Sequence, residues 1–179
     1  MKIAITGHTS GIGQALAKQY TNRGHEIIGL SKRHGDDIRN FKKIADKIEP
    51  CDIFINNAQQ HYAQTDLLFE MHQRWAGVQG KEIIVISTMT TLVGPMDQQI
   101  DYYTQKVALD TASLELAKSS LWPKIMLVRP GEVKTGRHSG PLACDVDVWA
   151  ESMVDIIESV KPGLRIYEFS LGVDYKGGQ

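Results

Sequence analysis

Cysteine is scarce in this 179-residue chain: only Cys51 and Cys144 are present, too few for a disulfide framework. The six histidines are scattered without an HxxxH pair and no Cys/His cluster has zinc spacing, so no metal is expected. Neither sign of charge is in excess, 20 Lys and Arg standing against 21 Asp and Glu for a net charge of −1. Without a basic stripe or an exposed aromatic series, nucleic acid is not an expected partner. No apolar run approaches the roughly 20 residues that span a bilayer. Met1-Lys2-Ile3-Ala4-Ile5 reads directly as a strand, which leaves no room for a signal peptide. A soluble protein of the reducing cytoplasm is expected, with residues 1–179 forming one domain.

What is present is alternation. Short apolar runs predict strands over 2–6, 26–30, 52–56, 82–87, 124–128 and 164–169. Between them, helical spacing predicts helices over 11–23, 40–48, 66–76, 101–119 and 146–160, with Gly24 stopping the first. Strands apolar on both faces and separated by helices indicate a doubly wound parallel sheet flanked by helices, a three-layer α/β/α arrangement. The run 82–87 is the most β-branched and is expected near the centre.

The first strand leads into Thr6-Gly7-His8-Thr9-Ser10-Gly11-Ile12-Gly13 and then into a helix. That context turns a glycine pattern into a nucleotide-site signal. Gly7 and Gly11 open backbone conformations closed to other residues. Bare backbone lets a pyrophosphate reach the helix N-terminus, where free N–H groups favour an anion, and Thr9 and Ser10 add hydroxyls. After the second strand an NAD-selective site usually carries an acid. Here Leu30-Ser31-Lys32-Arg33 offers a hydroxyl and two cations, which suit the 2′-phosphate of NADP; NAD stays open because Asp36 follows closely.

Downstream, Tyr102-Tyr103-Thr104-Gln105-Lys106 sets a tyrosine and a lysine four apart, on one helix face. A nearby ammonium is expected to pull the Tyr102 phenol below its reference value of about 10 and make it a usable general acid. Tyr103 has Val107 at the matching distance and no such partner.

These motifs resemble the short-chain dehydrogenase/reductase family over most of the chain. The likeness rests on Thr6-Gly7-x3-Gly11-Ile12-Gly13, Asn56-Asn57-Ala58, Tyr102-x3-Lys106 and Pro130-Gly131-x-Val133-x-Thr135, in family order. The resemblance implies a Rossmann-type fold and hydride transfer between nicotinamide C4 and a small carbonyl or alcohol. It assigns Tyr102 as general acid/base and gives Lys106 the nicotinamide ribose. Asn56, Asn57 and Ala58 would lie beside the cofactor and Asp37 against adenine. The segment from Pro130 through Gly131 and Val133 to Thr135 would border the nicotinamide. A hydroxyl from the preceding strand would hold the substrate oxygen; Thr88 matches the family position, with Ser87 the alternative one residue away. Relatives commonly pair through the tyrosine-bearing helix, and Val107, Leu109, Leu114 and Leu116 suit such a contact, so a homo-oligomer, a dimer, is expected.

The likeness has gaps. All four asparagines lie within the first 57 residues, so the helix preceding the serine position lacks the asparagine by which the family supports a proton relay; Gln64 is the available substitute. The segment between Ala58 and Ile83 is short for the family, and Gln59 stands where a glycine is usual. The stretch of Gly136-Arg137-His138-Ser139-Gly140-Pro141, where the family sets specificity, is short and polar, so the substrate is not readable. His61 and Tyr62 are either pocket or surface residues, and Trp75, Trp122 and Trp149 are expected to pack. These gaps leave a second reading, an NADP(H)-binding protein without redox turnover.

Overall fold

The computed structural model describes residues 1–95, 99–136, 140–141 and 143–173. Six strands form one sheet: β1 (Lys2–Thr6), β2 (Glu26–Leu30), β3 (Ile53–Asn56), β4 (Glu82–Ile86), β5 (Lys124–Pro130) and β6 (Glu168–Leu171). All pairings are parallel, in the order β2-β1-β3-β4-β5-β6. The helices are α1 (Gly11–Asn22), α2 (Phe41–Ile48), α3 (Ala63–Arg74), the single turn α4 (Thr90–Val93), α5 (Ile100–Ser119) and α6 (Val146–Glu158).

The period of two along each strand divides the apolar residues between two cores. Ala4, Phe54, Val85 and Leu127 pack beneath α2, α3 and α5, against Ile44, Leu67, Met71, Trp75 and Leu109. Ile3, Ile5, Ile55, Ile84 and Val128 point the other way, against Leu16 and Tyr20 of α1 and Trp149 and Met153 of α6. Strands covered on both faces have no polar side to show, which is why their sequences are almost continuously apolar. The sheet is therefore the expected three-layer Rossmann-type arrangement, and β4 does lie near its centre.

Winding begins from β1 toward β2 and then reverses from β1 to β3. At such a switch point two adjacent crossovers leave in opposite directions, and a crevice opens beyond the carboxyl ends of the strands. Thr6 closes β1 and Asn56 closes β3, so the glycine turn and the Asn56-Asn57-Ala58 segment both stand at this crevice.

Two element starts differ most from the sequence expectation. The last strand begins at Glu168, not near residue 164, because only Glu168–Leu171 finds register with Leu127–Pro130 of β5. Before it, Leu164 is exposed and Arg165 lies over the Tyr167 ring, so an apolar-looking run is spent on a turn. Helix α3 starts earlier, at Ala63, after a turn through His61, whose φ is 49°. Short 3-10 turns at Lys32–His34 and Ile38–Asn40, together with α4, had no periodic signal to announce them.

Candidate active site

The glycine turn is fixed by its neighbours' backbone. The buried Thr6 hydroxyl accepts hydrogen bonds from the Asn57 and Ala58 N–H groups, each 3.0 Å, while Asn57 Nδ2 donates to Thr6 O at 2.9 Å. Gly7 N donates to Leu30 O at 2.7 Å, which ties the turn to β2. Gly7 and Gly11 have φ of 74° and 54°, the left-handed region that penalises a side chain. A Cβ on Gly13 would strike the Gly7 carbonyl and come within 2.6 Å of Asn57 Nδ2. Ser10, at the N-cap of α1, makes no side-chain cap hydrogen bond, and the first turn carries no acid. An uncapped N-terminus behind a bare glycine turn fits a pyrophosphate. Two buried polar atoms at the ends of β1 and β2, His8 Nδ1 and Ser31 Oγ, have no hydrogen-bond partner among the described residues. The residues present thus fit a dinucleotide, with Thr9 half-buried and Ser10 exposed on the turn and Ile12 packed into the core behind it.

At the end of β2, Lys32 and Arg33 are exposed on a 3-10 turn. Asp36, which could have favoured NAD, is buried and bound by Lys47 of α2 at 2.5 Å. Asp37 caps the Ile38–Asn40 turn and is gripped by the Arg39 guanidinium, which with the Arg39 N–H holds its carboxyl down at about 2. Lys32 lies 4.0 Å from the same carboxylate. Both acids near the expected ribose and adenine are therefore already engaged by cations.

Tyr102 lies in the first turn of α5, with Lys106 one turn further on and buried. The Thr88 hydroxyl, which donates to Thr90 Oγ1 at 3.1 Å, acts on the phenol to lower its pKa. Burial acts more strongly and raises it, with the Asp110 carboxylate adding in the same direction. The expected depression of the tyrosine by its lysine is thus reversed in this structure. The physical reason is the lysine's position. Lys106 Nζ is 5.8 Å from the Tyr102 ring centroid and donates elsewhere, to Gln64 Oε1 at 2.9 Å and Ile86 O at 3.1 Å. Desolvation brings Lys106 itself down to about 8.

The two hydroxyls at the end of β4 have different partners. Ser87 is buried and its hydroxyl donates to Asp110 Oδ1, away from the phenol. Thr88 is the hydroxyl next to Tyr102, and its oxygen also accepts from Thr90 N at 3.3 Å. Asp110, one turn beyond Lys106, also accepts from Thr91 Oγ1 and Arg129 Nε, each at 2.7 Å. Arg129 reaches on to Glu168 of β6 at 2.5 Å. This network joins β4, α4, α5, β5 and β6 behind the tyrosine. Sequence reading missed Asp110 and Arg129; the spacing Lys106–Asp110 was a signal, but nothing indicated that the acid faces inward.

The remaining motif residues gather at the same edge. Asn56 Nδ2 donates to Gln64 O at 2.9 Å, and Gln59 reaches Gln105 of α5 at 2.6 Å, so the residue in place of the usual glycine joins the two segments. Pro130 ends β5 and accepts from Met89 N at 2.8 Å; Gly131 N donates to Leu171 O at 2.9 Å. Val133 is buried and bridges to Cys144. The Thr135 methyl approaches Gly11, where an added Cβ would come within 3.2 Å of it. A cavity of about 520 Å³ beside the turn is bordered by Gly11, Gln14, Lys18, Lys134, Thr135 and Asp147. A smaller one of about 190 Å³ lies at the opposite end of β4 and β5, away from every motif. His61 and Tyr62 are exposed, while Trp75 and Trp149 are core residues. Arg137 and His138 lie outside the described residues. Among the described residues there is no group of His, Cys, Asp or Glu that could hold a metal, and no helix long and apolar enough to cross a membrane.

No family model and no curated protein matches the chain. Solved structures do. The 3-ketoacyl-(acyl-carrier-protein) reductase of Brucella melitensis, complexed with NADH, superposes with a TM-score of 0.75 at 15% identity, covering 96% of each chain. A short chain dehydrogenase of Burkholderia cenocepacia in complex with NADP gives 0.73 at 17% identity, covering 96% of this chain and 95% of that one. The 3-alpha-hydroxysteroid dehydrogenase of a Pseudomonas species, complexed with NADH, gives 0.71 at 17%, covering 97% and 95%. The chain has the short-chain dehydrogenase/reductase fold.

Proposed function

We propose that the protein is an NADP-dependent oxidoreductase of the short-chain type, acting on a small carbonyl/alcohol pair. The observation that carries this reading is one sheet edge holding both an uncapped, glycine-lined helix N-terminus and a tyrosine flanked by a hydroxyl and a lysine. A nicotinamide cofactor held there would supply the hydride. The chain's own residues do the rest. Gly7 to Gly13 seat the pyrophosphate, and the exposed Lys32 and Arg33 meet a 2′-phosphate. With Asp36 and Asp37 taken by Lys47 and Arg39, no carboxylate of that turn is left to the ribose, which supports NADP over NAD. Thr88 holds the substrate oxygen and Tyr102 gives it a proton as charge develops there. A phenol raised by burial is fully protonated at neutral pH, which suits an acid and hence the direction of carbonyl reduction. Lys106 keeps a cation one helix turn from the reacting oxygen.

Protein titrated with NADPH and then assayed on a carbonyl panel, beside Tyr102→Phe, tests the reading. Turnover that is lost in the variant while binding persists is expected; no turnover of any carbonyl by the unaltered protein would count against it. The second reading, a nucleotide-binding protein without turnover, draws on the lysine's engagement with Gln64 and Ile86 O and on the raised phenol. For partners we propose only a small molecule and a second copy of the chain, joined through α5; of the residues expected at that contact, Leu109 is a core residue and Leu114 and Leu116 pack against that core, which leaves the half-exposed Val107. Monomer mass in light scattering would reject the dimer. A cytoplasmic location belongs to the same proposal.

A further inference from the structure

Gln64 makes more contacts than any motif predicts. Its side chain is only 2% exposed, and every polar group on it is used. Nε2 donates to Asn56 O at 2.7 Å and to Ile86 O at 3.0 Å, the last carbonyls of β3 and β4. Two backbone carbonyls can face only the NH₂ side of an amide, so the orientation of this one is dictated by the sheet. The oxygen is thereby turned to Lys106 Nζ, 2.9 Å away.

We propose that Gln64 is a positioning residue for Lys106: its sheet-fixed amide oxygen is the neutral acceptor that holds the ammonium at the ends of β3 and β4 without an ion pair. The charges around the lysine support this. On α5 it faces Tyr102 and Asp110; from α3 and β4 it meets only the neutral Gln64 side chain and Ile86 O. Asp110 itself is committed to Ser87, Thr91 and the Arg129 guanidinium of β5, which in turn binds Glu168. A lysine held by uncharged acceptors in a desolvated site gives up its proton more readily than one bound to a carboxylate. Gln64 therefore sets where the cation stands, and its oxygen favours the charged form against the desolvation that brings the lysine down to about 8. A glutamate in the same place would keep the shape, give the lysine a charged acceptor and give up the two hydrogen bonds to Asn56 O and Ile86 O.

The inference rests on reading Tyr102 and Lys106 as the reacting pair, but its test requires neither cofactor nor turnover. In protein carrying isotope-labelled lysine, the Lys106 side-chain resonance is assigned by its loss in Lys106→Met and followed against pH. Gln64→Glu is expected to move the midpoint upward by about one pH unit or more, a roughly tenfold change in proton affinity. Gln64→Met, similar in shape but without an acceptor, is expected to move it downward. Circular dichroism and the thermal midpoint check that each variant is folded, and Gln64→Glu alone decides if the methionine variant is not. A Lys106 midpoint unchanged in folded Gln64→Glu overturns the proposal. If the shift occurs and NADPH fails to bind, the positioning role stands and the oxidoreductase reading falls; NADPH binding with no shift has the opposite meaning.

Discussion

The glycine turn and the start of α5 share one edge of the sheet, yet they are held in place by different means. The turn is built from backbone: Thr6 clamps residues 57 and 58, Leu30 O takes the Gly7 N–H, and Gly13 exists because nothing larger fits. Tyr102 and Lys106 are instead governed by side chains from elsewhere, namely Thr88, Gln64 and Asp110. A site made by backbone tolerates changes in surrounding side chains. A site made by borrowed side chains has its charge states set by them, and here they leave the phenol raised and the lysine lowered.

Substitutions can separate the two halves. The largest effect is expected from Tyr102→Phe: a loss of about 10²–10⁴ in turnover, the usual worth of a general acid, with NADPH affinity unchanged within a few-fold. Stopped-flow or steady-state kinetics beside a binding titration reads both. Asp110→Ala takes away one of the two carboxylates on the buried Arg129 guanidinium, leaving Glu168 as its partner, and is expected to cost about 3 kcal/mol, the lower end for breaking a buried pair. For a chain of this size that lowers the thermal midpoint by at least about 6 °C. Gly13→Ala should act on the other half, costing about 1–3 kcal/mol of stability through overpacking and weakening NADPH binding before it alters the tyrosine. Thr88→Val should cut turnover by roughly tenfold or more at constant fold, since it removes one charge-stabilising donor. Ser87→Ala acts only through Asp110 and should be milder.

The smallest expected effect is a pH dependence. Lys106 is charged in the unfolded chain up to about pH 10.4 but in the folded protein only up to about 8. Between these values the unfolded state binds more protons, so this residue's contribution to stability rises with pH. Tyr102, raised when folded, works oppositely, its contribution falling as pH rises above about 10. Urea unfolding at pH 7 and pH 9.5 should therefore show a gain in the unaltered protein that Lys106→Met lacks.

Legibility in the sequence follows the same division. Strand alternation, the order of motifs and the glycine turn could be read because they depend on local pattern and backbone conformation. Their consequences, a parallel sheet wound in both directions and a cradle at its switch point, are what the structure contains. The ends of elements were less legible: Leu164 to Tyr167 look like a strand, but register with β5 begins only at Glu168. The choice between Ser87 and Thr88 depended on where Asp110 points, which is a tertiary fact. The Tyr102 pKa went against expectation for the same reason. Spacing put Lys106 beside the phenol, whereas Gln64, forty-two residues earlier in the chain, drew the ammonium away. Gln64 stood out only as a substitute for a missing asparagine, and its contact with the lysine needed the packing of α3 against α5.

The most direct test of the central claim is a parallel titration with NADPH and NADH, followed by nicotinamide fluorescence and by the thermal midpoint. Ligand that binds only the folded protein must raise that midpoint by mass action. Tight binding of NADPH, a clear rise in midpoint and a much weaker response to NADH are expected. No response to either nucleotide would contradict the account, because the turn that Thr6, Asn57 and Gly13 hold in place would then be a turn and nothing more.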